Sequence, residues 1–334
     1  MLRMILALIL SAAIVLLTGP KLIAWLRKLK LGQTMYELGP QSHLKKQGTP
    51  IMGGLCIALG CVVAFIVAGV SLGAWDHMLA LLFVALGSMA VGFAEDWIKM
   101  VKKNHEGLKP MQKIIGQAAV CLGFALYCYF HPEVGSKVIV PFFHVNWDLG
   151  IFYIPLLALT VLFMVNSANL QDGLDGILST VTAVGSIGWA AIALIAATTA
   201  LAAENTTIAV FALALCGACI GFLRFNHYPA TVFMGDTGSM FIGGAVVGMA
   251  MLLRQPFLLL LIAFTCVMSS VSVILQRYYF KLTRKLTGTP KRLFKMSPIH
   301  HHFEMCGMKE TQIVLMYAIV TLVLSAIAVV SVII

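Results

Sequence analysis

Charge is what this chain has least of. Only 11% of its 334 residues are charged and only 13 are acidic, whereas a soluble domain carries about 25% charged residues. That scarcity excludes an ordinary soluble protein. Polar low-complexity stretches are missing, which excludes a disordered chain. Neither a Gly-X-Y period nor a paired cysteine framework is present, which excludes collagen and a disulfide-stapled secreted module. The eight cysteines are scattered through apolar runs. Cys216 and Cys219 form a C-x-x-C inside such a run, where packing is the expected role. With no internal repeat and no inserted soluble region, residues 1–334 read as one integral domain.

What the sequence has in abundance is apolar length: 60% of its residues are hydrophobic, and a membrane helix needs roughly 20 in succession. Uncharged runs cover 4–20, 48–75, 77–94, 114–132, 149–171, 176–203, 205–223, 237–253, 255–276 and 311–334. They predict an all-α integral membrane protein of about ten transmembrane helices. Continuous runs, without strict alternation, exclude a β-barrel. Residues 1–17 resemble a signal peptide but lack a small-residue cleavage site, and the topology needs them as a span. Of the 23 Lys and Arg, all but Arg3, Lys137 and Arg254 fall on loops following odd-numbered spans. The positive-inside rule therefore places that face in the cytoplasm and both termini outside, periplasmic or extracellular. Among the outer loops only 132–150 is long, and its stretch 137–145 predicts a small hairpin. Trp25, Trp75 and Trp97 read as interfacial anchors.

Nine of the 13 acids fall on the cytoplasmic side, and five of those lie at span ends. Glu95 and Asp96 close the third span in GFAEDWIK, Asp172 and Asp175 follow the fifth in NSANLQDGLDG, and Asp236 precedes the eighth in FMGDTGSMF. An acid near a membrane faces the bundle interior or a water-filled cavity. Carboxylates converging from separate helix ends suit Mg²⁺, which takes oxygen ligands and shares them with substrate phosphate. Asp172 and Asp175, three apart, are expected on one helical face, whereas Glu95 and Asp96 diverge by about 100° and have different jobs. The glycines of GLDG and GDTGS let backbone N–H groups approach phosphate. The plainer alternative makes these acids helix caps or partners for loop lysines. A transporter would hold its acids near the bilayer midplane, not at span ends.

Residues 298–304 read PIHHHFE. Consecutive His300, His301 and His302 cannot all face one metal on a helix, and zinc motifs space their ligands, so phosphate binding or substrate positioning is expected. The basic stretch 281–295 suits anionic lipid head groups or an anionic substrate. Lys45, Lys46, Lys99, Lys102, Lys103 and Lys113 likewise suit a polyanion, but no fold is present to offer them to nucleic acid.

Together KKQGTPIMGG (45–54), the stretch 92–117, NSANLQDGLDG (166–176), FLRFNHYPATVFMGDTGS (222–239) and SPIHHHFEMCGMKE (297–310) resemble, in order, the cytoplasmic motifs of the phospho-N-acetylmuramoyl-pentapeptide-transferase family. Wider polyprenyl-phosphate N-acetylhexosamine-1-phosphate transferases share the acidic motifs, while PIHHHFE points to the muramoyl-pentapeptide members. The resemblance implies Mg²⁺-dependent transfer of phospho-MurNAc-pentapeptide from UDP-MurNAc-pentapeptide to undecaprenyl phosphate in the cell membrane, giving lipid I and UMP. It implies Asp236 and Asp96 at the metal and Glu95, Asp96, Asp172, His300 and His301 at the reaction centre. Glu95 stands where the family usually has Asp, and Gln171 where it usually has Thr. Substrate contacts are implied for Lys46, Lys99, Lys103, Lys113, Asn166, Asn169, Leu170, Gly173, Asp175, Asn226, Phe233, Gln276 and His302, with Asp175 accepting from the uracil imide and Phe233 stacking on its ring. Membrane lipids surround the expected enzyme, and the resemblance implies a homodimer. Carboxylate-oriented direct attack and a covalent phospho-sugar enzyme both remain open as mechanisms.

Overall fold

A computed structural model describes residues 1–28, 46, 48–102, 107–143, 145–198 and 201–334. Its helices are α1 (Leu2–Lys28), α2 (Gly54–Gly69), α3 (Trp75–Lys102), α4 (Pro110–Phe130), α5 (Tyr153–Gln171), α6 (Ile177–Ala197), α7 (Ala202–Asn226), α8 (Gly235–Leu252), α9 (Leu259–Ile262), α10 (Phe264–Thr287), α11 (Ile299–Met305) and α12 (Glu310–Ile333). Among the described residues nine helices are long and apolar enough to cross a membrane. A tenth crossing is Pro256–Ile262 with Phe264–Thr287, bent by 87° at its break. The expected all-α bundle of about ten spans is thus present, with one span broken where a continuous apolar run gave no warning. The expected hairpin is present too: β1 (Lys137–Val140) pairs antiparallel with β2 (Val145–Asp148), Lys137 opposite Asp148 and Val140 opposite Val145.

Lipid tails are as apolar as leucine, so helices in a membrane are held by close packing and internal hydrogen bonds more than by the hydrophobic effect. α8 shows this best. Nearly all of it is buried, including Met240, Phe241, Val247 and Met249, and its small residues let α2, α3 and α5 approach its backbone. A methyl group on Gly54 would lie 2.2 Å from the Cα of Gly238. On α10 the buried face is hydroxylic: Ser270 bonds Ser167 of α5 at 2.7 Å, and Gln171 of α5 donates to Thr265 at 3.1 Å.

Sidedness follows from these contacts. The end of α3, the start of α4, the end of α5 and the start of α8 meet at one end of the bundle. At the other end Asp76, opening α3, pairs with His131, following α4. The hairpin lies at that end as well. Arg254, just after α8, donates from Nε to the Lys137 carbonyl and from a terminal nitrogen to Asn146, both at 2.9 Å. Phe142 N donates to the Ser331 carbonyl near the end of α12, and Arg3 bonds Ser71 beyond α2. Both chain termini therefore share this end.

Backbone against backbone leaves no room to yield, so Gly54→Ala should lower the detergent melting temperature by several degrees. Gly116→Ala, whose methyl would meet only Val91 side-chain carbons at 3.2 Å or more, should melt close to the parent. Equal melting of the two variants would contradict the packing argument.

Candidate active site

Adjacent residues on α3 diverge, and here that divergence separates two roles. Asp96 turns toward the first turn of α8, whose N–H groups have no partner within their own helix. Its Oδ1 accepts from Asp236 N at 3.2 Å, and its Oδ2 accepts from Thr237 N at 2.9 Å and Thr237 Oγ1 at 2.6 Å. The approach requires glycine twice. A methyl on Gly235, whose φ is +72°, would lie 2.5 Å from Asp96 Oδ2, and one on Gly92 would lie 2.2 Å from the Asp236 carbonyl oxygen.

Glu95 turns toward the lysines. Lys99 Nζ lies 3.2 Å from Glu95 Oε1 and 2.9 Å from Asp236 Oδ2. Lys113, in the first turn of α4, lies 3.4 Å from the same Asp236 oxygen and 3.9 Å from Glu95 Oε2. Asn169 of α5 donates to the other Asp236 oxygen at 2.7 Å and to Ser239 at 2.9 Å. Two ammonium groups thus already stand where carboxylates from α3 and α8 converge. Glu95 Oε2 is buried there with no hydrogen bond. An all-oxygen donor set with an unsatisfied buried carboxylate oxygen fits a hard divalent cation such as Mg²⁺.

Asp172 caps the end of α5 with φ −75° and ψ 52°, and residues 172–176 form turns instead of helix. This corrects the expected shared helical face: the chain reverses between Asp172 and Asp175. Asp172 is half-buried, and its pKa is pushed up to about 8, first by burial and then by the charges of Asp236, Asp175 and Asp96. Asp175 is 4% exposed, with one oxygen 2.7 Å from Lys46 Nζ and the other accepting from Ala230 N at 2.8 Å. Glu310, opening α12, accepts from the same Lys46 at 2.7 Å and from Asp175 N. Burial works to lower the Lys46 pKa, and these two carboxylates more than reverse it, raising it.

The histidines divide as well. His300 is buried, with its ring 4.3 Å from that of His301. A methyl on Gly173 would lie 2.3 Å from His300 Nε2 and 3.0 Å from His301 Nε2, so both rings crowd the turn that carries Asp172. His301 Nδ1 is 3.2 Å from Glu304. His302 faces elsewhere, its Nδ1 accepting from Lys295 N at 3.1 Å.

Several expected substrate contacts are engaged with the protein itself. Gln276 holds the backbone of Leu293 and Phe294 through three hydrogen bonds. Asn226, 2% exposed, donates to the Val232 carbonyl. Asn166 pairs with Gln117, at 3.0 Å in its shorter bond, not with the acids. Leu170 and Phe233 are half-buried; Phe233 is tied through its backbone to Pro50 and Gly53. Lys103 and Lys45 lie outside the described residues. Glu310, one of the nine cytoplasmic acids, and Thr237 carry no site signal in the sequence beyond an acid beginning the last span and the hydroxyl within GDTGS.

Asp172 titrates near 4 in an unfolded chain. Between about 4 and 8 the folded protein therefore keeps a proton that the unfolded chain has lost, and its stability falls as pH rises toward 8. In EDTA, the melting temperature should drop more from pH 5 to 8.5 in the parent than in Asp172→Asn. Identical pH slopes would remove Asp172 as the cause.

A family model described as glycosyl transferase family 4 matches residues 78–254. Phospho-N-acetylmuramoyl-pentapeptide-transferase of Clostridioides difficile (strain 630) is 42% identical over 320 residues, 96% of this chain and 94% of that one. The protein of the same name from Thermoanaerobacter sp. (strain X514) is 42% identical over 323 residues, 96% of each chain. That from Heliobacterium modesticaldum (strain ATCC 51547 / Ice1) is 43% identical over 312 residues, 93% of this chain and 92% of that one. At such identity over nearly its whole length, the chain belongs to the phospho-N-acetylmuramoyl-pentapeptide-transferase family, multi-pass membrane transferases of bacteria.

Proposed function

We propose that the protein transfers phospho-MurNAc-pentapeptide from UDP-MurNAc-pentapeptide to undecaprenyl phosphate, releasing UMP and forming lipid I for peptidoglycan synthesis. The observation that carries this beyond family membership is the convergence of Lys99 and Lys113 on Asp236 and Glu95 at one end of the bundle. The sequence assigns 20 of the 23 Lys and Arg to the loops on that side of the spans, which supports placing it in the cytoplasm, where the nucleotide is. A lipid acceptor and a water-soluble donor meet only at such an interface.

Phosphoryl transfer asks mainly for positioning and charge neutralisation. Lys99 and Lys113 are placed to neutralise the donor diphosphate, and Lys46, held between Asp175 and Glu310, supports the same anion from the neighbouring turn. Asp236, Glu95 and Asp172 would hold Mg²⁺, which supplies Lewis-acid polarisation of the phosphate and neutralises the leaving UMP. Asp96 keeps Asp236 in place through the start of α8. Asp172 orients the acceptor phosphate for direct attack on the β-phosphorus: the new P–O bond forms as the bond to UMP breaks. His300 and His301 brace the Asp172 turn. Phe233 offers a ring for the uracil, and the family resemblance supports a homodimer as the working unit.

UMP release by purified protein should require UDP-MurNAc-pentapeptide, undecaprenyl phosphate and Mg²⁺ together. Asp236→Ala should cost about a hundredfold or more in turnover while leaving the folded protein recoverable in detergent. Near-normal turnover of that variant, or activity with UDP-GlcNAc alone, would overturn the assignment. Direct attack further predicts that labelled UMP does not exchange into the donor when lipid acceptor is withheld. Exchange under those conditions would establish a covalent intermediate instead.

A further inference from the structure

The opposite end of the bundle carries a second group of ligand-bearing side chains, which the transfer reaction does not use. α3 opens there with Asp76 and His77, and α4 ends just before His131. One ligand atom from each of Asp76, His77 and His131 lies within 4.8 Å of the others. Asp76 bridges the pair: its Oδ2 is 2.9 Å from His131 Nε2 and its Oδ1 is 3.5 Å from His77 Nδ1. The two imidazole rings meet edge to face at 5.1 Å. His77 is 1% exposed, and its Nδ1 makes no hydrogen bond. Tyr127, whose ring is 5.2 Å from that of His131, has a buried hydroxyl with no hydrogen bond, and so does Glu133 Oε2 two residues beyond His131.

Buried polar atoms are normally paired, so three unpaired ones around two imidazoles and a carboxylate call for a ligand. We propose that Asp76, His77 and His131 bind a transition-metal dication of the Zn²⁺ type. The donor set decides the class. Mg²⁺ and Ca²⁺ take oxygen, whereas imidazole nitrogen with one carboxylate suits Zn²⁺. Tetrahedral Zn²⁺ with bonds of about 2.0–2.1 Å keeps its ligand atoms about 3.3 Å apart, and the three ligand atoms here, all within 4.8 Å of one another, need only a small side-chain adjustment to reach that spacing. Solvent supplies the fourth ligand, because the Asp76 side chain is 51% exposed.

Proton balance is simple. His131 Nδ1 now accepts from Glu133 N in a long contact of 3.3 Å, so Nε2 holds the ring proton and donates it to Asp76. Metal binding at Nε2 moves that proton to Nδ1, the contact from Glu133 N gives way, and the imidazole stays neutral. The ion would tie the first turn of α3 to the end of α4, beside the hairpin.

Untagged full-length protein in detergent, stripped with EDTA and desalted, should bind one more equivalent of Zn²⁺ by equilibrium dialysis than His131→Gln. Co²⁺ should give visible d–d absorption bands that His131→Gln lacks, and millimolar Mg²⁺ should not displace either metal. Asp76→Asn, at a half-exposed side chain, should lose the same equivalent and serves if His131→Gln fails to fold. Any sites at His300–His302 and Cys306 are unchanged in both variants and cancel in the comparison. Equal Zn²⁺ stoichiometry in the parent and Asp76→Asn, or displacement by Mg²⁺, would overturn the proposal.

Discussion

The transferase end of this molecule depends on one carboxylate closing one helix. Unpartnered N–H groups at a helix start are costly wherever water is scarce, and a bundle in hydrocarbon has little water to offer. Asp96 answers that need for α8 from the side of α3, and its negative charge also complements the positive end of the α8 dipole. Because the two helices run antiparallel and touch at Gly92, the bond sets both their register and the depth at which Asp236 emerges. Asp236 then meets cations from α3 and α4 and an amide from α5. Four helices are located through this one contact.

The balance of charge at this end has two scales. Near the centre, the described acids Glu95, Asp96, Asp172, Asp175, Asp236 and Glu310 face Lys46, Lys99 and Lys113. Carboxylates outnumber ammonium groups, which adds to the effect of burial in making Asp172 hold its proton unusually well. Around that centre the loops are strongly basic. A field of this shape draws an anionic donor toward the face as a whole and a dication to its middle.

Much of this was legible in the chain. Helical spans follow from run length because hydrocarbon thickness is fixed, and the acids stand out because charge is so rare. The hairpin was legible from β-branched residues around Pro141. The 87° break at Ala263 was not, since the apolar run 255–276 continues through it without a change in composition. Pairings across long separations were also invisible: Glu310 reaches Lys46 over 264 positions, and Thr237 reaches Asp96 over 141. Family resemblance had suggested ligand contacts for Gln276, Asn226 and His302, yet their hydrogen bonds secure nearby loops and turns. A motif marks residues that matter without saying whether they touch substrate or hold what does.

The composition of α8 has an electrical consequence. Beyond Ser239 its buried face runs through Met240, Phe241, Ile242, Ala245, Val247 and Met249 without a single ionisable group, and Phe65, Phe124, Phe211 and Trp189 are fully buried in the bundle around it. A proton or metal ion passing from the acidic cluster to the opposite end of the bundle would have to cross this apolar column unaccompanied, at a prohibitive cost in solvation. The charge chemistry at one end of the bundle is thereby electrically insulated from the other end.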